Sequence, residues 1–245
     1  MIFWLATMDA HATIVNVLTP SVGVLEDGWH GSVKAGGVVL SGNEKQLGAN
    51  LAAGVQYKKQ RHLTSLKASG DVTQAFGDIV AQKAFTNARH RWMFAEPVSA
   101  VGFVQVDHNR FRGLLVRDLA GAGVDIRTFR NDWTEAHLGL TMMGEHQVHG
   151  EGFVDDDAGL HARMSNYFTV AVKSESVVLA STTFYQPRVD QWANNWRFLE
   201  ELSFTIDISE HLDWNVLFRL ERDSSPPTGV EPLDLALKSG LVLGF

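Results

Sequence analysis

The chain has 245 residues, of which 45% are hydrophobic and 20% charged, with a formal net charge of −7 at pH 7. It contains no cysteine, which excludes disulfides, thiolate nucleophiles and cysteine-based metal sites, and its acidic balance argues against a nucleic-acid partner. No stretch reaches the roughly 20 uninterrupted apolar residues of a membrane-spanning helix, whereas a transmembrane β-barrel alternates apolar with polar residues. Composition alone leaves a soluble fold and a membrane barrel both open.

The first predicted element is a signal-like or lead-in segment over residues 1–27. Its apolar opening ends in Ala10-His11-Ala12, which has the small-x-small form of a signal-peptidase site. The positively charged region that normally precedes the apolar part of a signal peptide is missing. Two interpretations stay open: the start lies within a longer signal peptide, or the segment is an apolar lead-in to the domain at 28–245.

From residue 28 onward the dominant pattern has a period of two. Over residues 47–58, leucine, alanine, valine and tyrosine alternate with small or polar residues, and the same alternation returns over residues 135–142 and 213–221. A strand with this pattern has one face suited to lipid and the other suited to water. The alternation therefore predicts strands with an apolar outer face.

Turn signals divide residues 28–245 into about twelve strands, an even number, as single-chain bacterial barrels require. The predicted strands cover residues 29–41, 46–58, 62–71, 86–95, 98–107, 113–128, 134–146, 160–172, 177–186, 196–208, 212–222 and 233–245. Short links alternate with longer loops, which are predicted at 70–85, 147–159, 186–195 and 223–232. We predict an all-β fold: a closed, antiparallel, up-and-down transmembrane β-barrel with the short links at the periplasmic end.

The charged residues of these strands fall on the face predicted to line the lumen. A Lys or Arg facing lipid at the bilayer midplane would cost roughly 2 to 4 kcal/mol, which favours this assignment. The predicted lumen-lining residues are Lys34, Gln56, Lys58, Arg89, Arg91, Arg117, Asp125, Arg127, Glu135, His137, Arg163, Arg197, Glu201, Asp213, Arg219, Glu221 and Lys238, and Glu145 and Asp234 fall on the same face.

Two arrangements of these lumen charges stay open. Arginines and carboxylates that pair across the interior would fill it and leave a structural or stress-related envelope protein. Charges separated onto opposite walls would instead select small polar or charged solutes in a narrow pore. Side chains can fill much of a barrel of about twelve strands, which favours a narrow or occluded lumen.

The C-terminal strand carries the most specific local pattern. Leu235, Leu237, Ser239, Leu241, Leu243 and Phe245 form one face of a strand that ends at phenylalanine. It resembles the terminal strand that the outer-membrane barrel assembly machinery recognises, because an exposed edge with alternating apolar side chains can be captured by strand addition. Leu241, Leu243 and Phe245 are the predicted assembly signal, and strand closure then removes the free edges.

Short motifs along the chain resemble a known family. They are Gly28-Trp29-His30-Gly31-Ser32-Val33 with Ser41-Gly42-Asn43, Asn50-Leu51, Arg61-His62, Asp107-His108-Asn109-Arg110-Phe111, Leu119-Ala120-Gly121-Ala122-Gly123, and Arg222-Asp223-Ser224-Ser225-Pro226-Pro227. Together they are similar to the salt-induced outer-membrane protein family, also called YdiY-like, a domain of unknown function. The resemblance implies a barrel in the bacterial outer membrane whose partners are lipid, lipopolysaccharide and the assembly machinery. It implies no established substrate, and it carries no catalytic residues.

No catalytic, cofactor or metal site is predicted. His90 has no serine at a workable strand spacing, and His137 has Glu135 and Thr141 as its same-face neighbours. A cluster of His146, His149, Glu151 and residues 155–157 could ligate a divalent cation, but a solvated acidic loop is the favoured interpretation. A soluble, lipocalin-like ligand binder is a further alternative, and it would place apolar residues inside and polar residues outside.

Overall fold

The computed structural model describes Ile14, Asn16, Leu18, Val22, residues 25–40, 46–110, 113–150, Gly152 and residues 157–244. Its strands are β1 (Gly28–Leu40), β2 (Gln46–Lys59), β3 (His62–Ala75), β4 (Asp78–Ala95), β5 (Val98–Asn109), β6 (Leu114–Arg130), β7 (Thr134–His149), β8 (Gly159–Met164), β9 (Asn166–Ser174), β10 (Val177–Pro187), β11 (Trp196–Ser209), β12 (Leu212–Asp223) and β13 (Leu233–Gly244). A 3₁₀ turn covers Val189–Gln191. Within the described ranges, no helix is long and apolar enough to cross a membrane.

The strands form one closed antiparallel barrel in which each strand pairs with its neighbours in sequence. β8 and β9 both pair with β7 and act as one wall element interrupted at Ser165, so the wall has twelve positions. The barrel closes where β1 pairs with β13, from Ser32 opposite Gly244 to Ala35 opposite Leu241. The predicted all-β fold and strand number are confirmed.

The distribution of side chains is the inverse of that in a soluble protein. Leu51, Leu140 and Leu237 are 57%, 46% and 51% exposed on the outer surface, whereas Arg163 and Glu145 are 0% and 1% exposed inside. A lipid environment suits this arrangement, because water would otherwise be in contact with a continuous apolar belt. The soluble, lipocalin-like alternative is therefore wrong.

The predicted loop at 70–85 is also wrong. β3 and β4 run through this region and are joined by a two-residue turn at Phe76-Gly77. Both turn residues have positive φ, 52° and 98°, as tight hairpin turns between twisted strands require. Gly70 and Asp71, at the start of the predicted loop, are paired within the sheet opposite Ala84 and Lys83.

The two ends of the barrel differ in their connections. At the end that we call the turn end, links of two or three residues join β2 to β3, β4 to β5, β6 to β7, β9 to β10 and β11 to β12. Residues 25–27 also lie there, since Asp27 accepts hydrogen bonds from Lys58 and from the Gln60 backbone. The opposite end, which we call the loop end, has the longest connections, at residues 150–158, 188–195 and 224–232.

Candidate functional site

The structure places the predicted lumen-lining side chains inside the barrel. Arg89, Arg117, Asp125, Arg163, Arg197, Glu201 and Glu221 are buried, as is Glu145. Gln56, Lys58, Arg91, Arg127, Glu135 and His137 line an interior cavity. Arg219 pairs with Glu201 and Glu221, and Lys238 pairs with Asp71. Lys34 and Asp213 both lie opposite the buried Val242, and cross-strand partners share a face of the sheet.

An ionic layer lies in the loop-end half of the lumen. We define it as Glu145, Asp157, Arg163, Arg188 and Arg197. Arg197 contacts Glu145 at 2.8 Å and Asp157 at 2.6 Å, and Arg163 also pairs with both carboxylates. The side chains of Arg163, Arg197, Glu145 and Asp157 are all 0–1% exposed, so this layer is almost completely buried.

Asp157 enters this layer from the loop after β7 rather than from a strand. Its carboxylate accepts hydrogen bonds from Asn195 at 2.9 Å and from Arg188 at 3.2 Å, as well as from Arg163 and Arg197. Burial by itself would raise the pKa of Asp157, but the charges of Arg197 and Arg163 outweigh it and lower the pKa to about 2. The Asp157 carboxylate, with four hydrogen-bond donors, therefore links the other residues of the layer to one another.

Asp157 also belongs to the cluster that could ligate a divalent cation, and the structure gives it another role. His146 lies 3.9 Å from Asp118 on an exposed part of β7. Glu151, Asp155 and Asp156 lie outside the described residues. No group of three or more potential metal ligands occurs among the residues that the structure does describe.

The stability of the barrel should depend on Asp157 at low pH. Because its pKa is about 2 in the folded protein against 3.8 for an ordinary Asp, the carboxylate stabilises the fold at higher pH, and this is lost as pH falls from about 4 to about 2. The difference corresponds to about 2 kcal/mol. Denaturant unfolding across this pH range should show a steeper fall in the free energy of unfolding for the wild type than for Asp157→Asn. If the free energies of unfolding of the two proteins fell in parallel with pH, the stabilising role of the Asp157 carboxylate would be contradicted.

An apolar layer lies next to the ionic layer, at mid-barrel. Ile14 packs against Tyr167, Phe184 and Leu199, with Leu18 at the edge of the cluster. The Ile14 amide donates to Glu221 at 3.0 Å, and the Arg219 side chain donates to the Ile14 carbonyl. Ile14, Asn16 and Leu18 therefore lie in the lumen. Their position was not predicted, because the sequence around them has no alternation that would indicate a buried face.

A glycine in β7 creates the space for the largest ring of this layer. The Tyr167 ring lies directly over Gly139, its partner in the neighbouring strand, and a Cβ atom at Gly139 would lie 2.0 Å from ring atoms. Glycine inside a strand often marks such a close approach. The Tyr167 hydroxyl, thus positioned, donates to Asp125 at 2.5 Å and accepts from Arg89 at 2.7 Å.

The turn-end half of the lumen is a cavity of about 470 Å³, which we call the vestibule. Its wall contains several ion pairs: Arg91 lies 3.5 Å from Asp125, Arg127 lies 3.2 Å from Glu96, and Arg130 lies 3.8 Å from Glu135. His137 bridges two carboxylates, with Nδ1 at 2.8 Å from Asp125 and Nε2 at 2.9 Å from Glu135. The lumen thus combines a buried ionic layer in its loop-end half with a cavity in its turn-end half.

Two other groups of predicted residues lie on the outer surface. Leu241 and Leu243 of the predicted assembly signal are half exposed, and Phe245 lies outside the described residues. His90 also faces outward and contacts Thr64 at 2.8 Å and His62 at 3.2 Å. These placements leave the assembly role of the terminal strand a prediction.

A closed barrel with an apolar belt and a charged, buried interior defines the class of outer-membrane β-barrels. Among solved structures, the chain is similar to the NanC porin, with a TM-score of 0.54, 8% identity, and coverage of 87% of this chain and 98% of that chain. It is also similar to the KdgM porin, with a TM-score of 0.48, 7% identity, and coverage of 89% of this chain and 99% of that chain. A third similar structure is the translocator domain of the autotransporter NalP from Neisseria meningitidis, with a TM-score of 0.42, 11% identity, and coverage of 88% of this chain and 86% of that chain. No curated protein sequence matches the chain. The chain belongs to the family described as "Protein of unknown function, DUF481", which it matches over residues 33–245.

Proposed function

We propose that this protein is an occluded barrel of the bacterial outer membrane, an envelope component that does not let solutes diffuse freely across it. Its belt contacts lipid and lipopolysaccharide, its turn end faces the periplasm, and its last strand is read by the barrel assembly machinery. Within its family it fits the salt-induced, YdiY-like group, which suggests a stress-related role. We assign it no enzymatic activity.

The ionic layer is the observation that carries this proposal. Arg163 and Arg197 meet Glu145 and Asp157 inside the lumen, and the four side chains are almost completely buried. An open pore needs a continuous hydrated path. The opposite charges alternate within one layer here rather than separating onto opposite walls, so they satisfy one another.

A second obstruction lies in series with the first. The apolar layer around Ile14 closes the barrel at mid-height, and Asn16 reinforces it by donating to Glu201 at 2.7 Å. Either layer alone is expected to stop ions. Removal of one should leave the barrel closed, whereas removal of both should open it.

Planar-bilayer recordings of the refolded protein test the proposal. The unmodified chain should give no stepwise conductance in concentrated KCl. A variant with serine at Glu145, Asp157, Arg163 and Arg197 should stay closed, as should a chain that begins at Leu25, and the combined variant should conduct. Steps from the unmodified chain would overturn the proposal and favour the alternative, a narrow pore for small polar solutes.

A vestibule variant provides the matched control for the combined variant. Replacing Glu96 and Arg127 by serine also removes an ion pair, but at the turn end, away from both layers. This control should stay closed in the same recordings. Heat-modifiable migration of each variant on a gel would show that its barrel has folded.

A further inference from the structure

The vestibule carries an excess of positive charge. Of the described residues that line it, six are basic (Lys58, Arg61, Arg89, Arg91, Arg127 and Arg130) and three carry carboxylates (Glu96, Asp125 and Glu135), while Asp27 beside the cavity pairs with Lys58. A concave site with walls of low dielectric constant concentrates such a field and attracts counter-ions. This excess stands out because the whole chain has a net charge of −7.

Arg89 lies at the inner end of the vestibule, and no carboxylate of the described residues pairs with it. It is 9% exposed, and its Nη2 donates to the Tyr167 hydroxyl at 2.7 Å. The guanidinium also lies over the rings of Tyr167 and Phe103, 5.2 and 5.8 Å from their centroids. Among the described residues, none places a carboxylate within ion-pair distance of Arg89. Burying a charge without a counter-ion is costly, so a bound anion would relieve it.

The acidic residues of the vestibule are engaged elsewhere. Asp125 accepts from Tyr167 and contacts both Arg91 and His137, and Glu135 contacts His137. Glu96 lies at the turn-end rim beside Arg127. The nearby Lys67 adds a further basic group, and its ammonium donates to the Leu18 carbonyl at 3.0 Å. The inner end of the vestibule therefore remains positive.

We propose that the vestibule is a binding site for a small anionic solute that carries a carboxylate or phosphate group and enters from the turn end. The Arg89 guanidinium, held by two rings and a hydroxyl, presents its remaining N–H groups to the anion, and a guanidinium suits the planar, two-point recognition of such groups. Gln56, Ser65 and Thr169 also line the cavity and offer neutral hydrogen bonds. A cavity of about 470 Å³ is within the usual size of small-molecule sites.

Calorimetric titration of the refolded, detergent-solubilised full chain with citrate and with inorganic phosphate tests this site. Saturable binding of either probe is expected, and the probe that binds shows whether carboxylate or phosphate is preferred. Arg89→Gln should weaken binding at least tenfold. Arg222→Gln, which removes a cation that stacks on Trp196 away from the vestibule, should leave it unchanged. Absence of saturable binding, or equal binding by Arg89→Gln, would overturn the proposal.

A chemical-modification experiment tests the same site without calorimetry. The chain has no cysteine, so Gln56→Cys would place a single thiol on the vestibule wall. An anionic methanethiosulfonate should modify it faster than a cationic reagent of similar size, and citrate should slow the reaction. Adding Arg89→Gln should reduce both effects. Faster reaction with the cationic reagent would contradict the inference, whatever the bilayer recordings show about closure.

Discussion

Replacing Arg197 by methionine is expected to lower the free energy of unfolding by about 3 to 5 kcal/mol, because it leaves buried carboxylates without their cation. Arg197 contacts Glu145 at 2.8 Å, Asp157 at 2.6 Å and Asp223 at 3.5 Å, and all four side chains are at most 4% exposed. Urea unfolding of the protein in lipid vesicles, followed by tryptophan fluorescence, would measure the loss.

Arg130 supplies the control for this prediction. It also belongs to an ion pair, but its side chain is 32% exposed and lies 3.8 Å from Glu135. Exposed pairs contribute little, so Arg130→Met should cost less than about 1 kcal/mol. Similar losses for the two variants would show that the ionic layer is hydrated and is not the closed structure described above.

Replacing Leu237 by arginine is expected to destabilise the barrel by about 2 to 4 kcal/mol in a bilayer. Leu237 lies near the middle of β13 on the outer surface, where it is 51% exposed, so the guanidinium would face the acyl chains. The loss should be measured by reversible unfolding in lipid vesicles, since a detergent micelle adapts to a buried charge more easily.

Leu233 on the same strand provides a control that changes the depth in the bilayer but not the substitution. It is 50% exposed on the same face but starts β13 at the loop end, where the chain leaves the membrane. Leu233→Arg should therefore cost only about 0 to 1 kcal/mol. Equal costs at the two positions would mean that the apolar belt does not span a bilayer.

The wall of the barrel could be predicted from the sequence because each strand carries its own signal. Leu237 and Lys238 fall on opposite faces because side chains alternate along a strand, and this requires no knowledge of neighbouring strands. The predicted loop at 70–85 is the exception, because Gly70 and Asp71 at its start are paired within the sheet. Glycine and aspartate there continue the strand instead of ending it.

The partners inside the lumen could not be predicted in the same way. Arg197 and Glu145 are 52 residues apart and lie on β11 and β7, which are not neighbours in the wall, and Asp157 comes from a loop with no periodic signal. Alternation shows which side chains point inward but not which of them meet. The placement of Ile14 inside the barrel was missed for the same reason, because only the assembled lumen creates its binding partners.

At the interruption at Ser165, side chains of the ionic layer also connect neighbouring segments of the barrel wall. On the loop-end side of Ser165, β8 pairs with β7. Its one isolated bridge on the other side, among the described residues, joins Arg163 to Arg188, which directly follows β10, so backbone pairing is sparse there. Arg163 also donates to the Gln186 carbonyl at 3.1 Å, and Gln186 donates back to the Ser165 hydroxyl at 2.8 Å. The side chains of the ionic layer therefore also join neighbouring wall segments where backbone pairing is sparse.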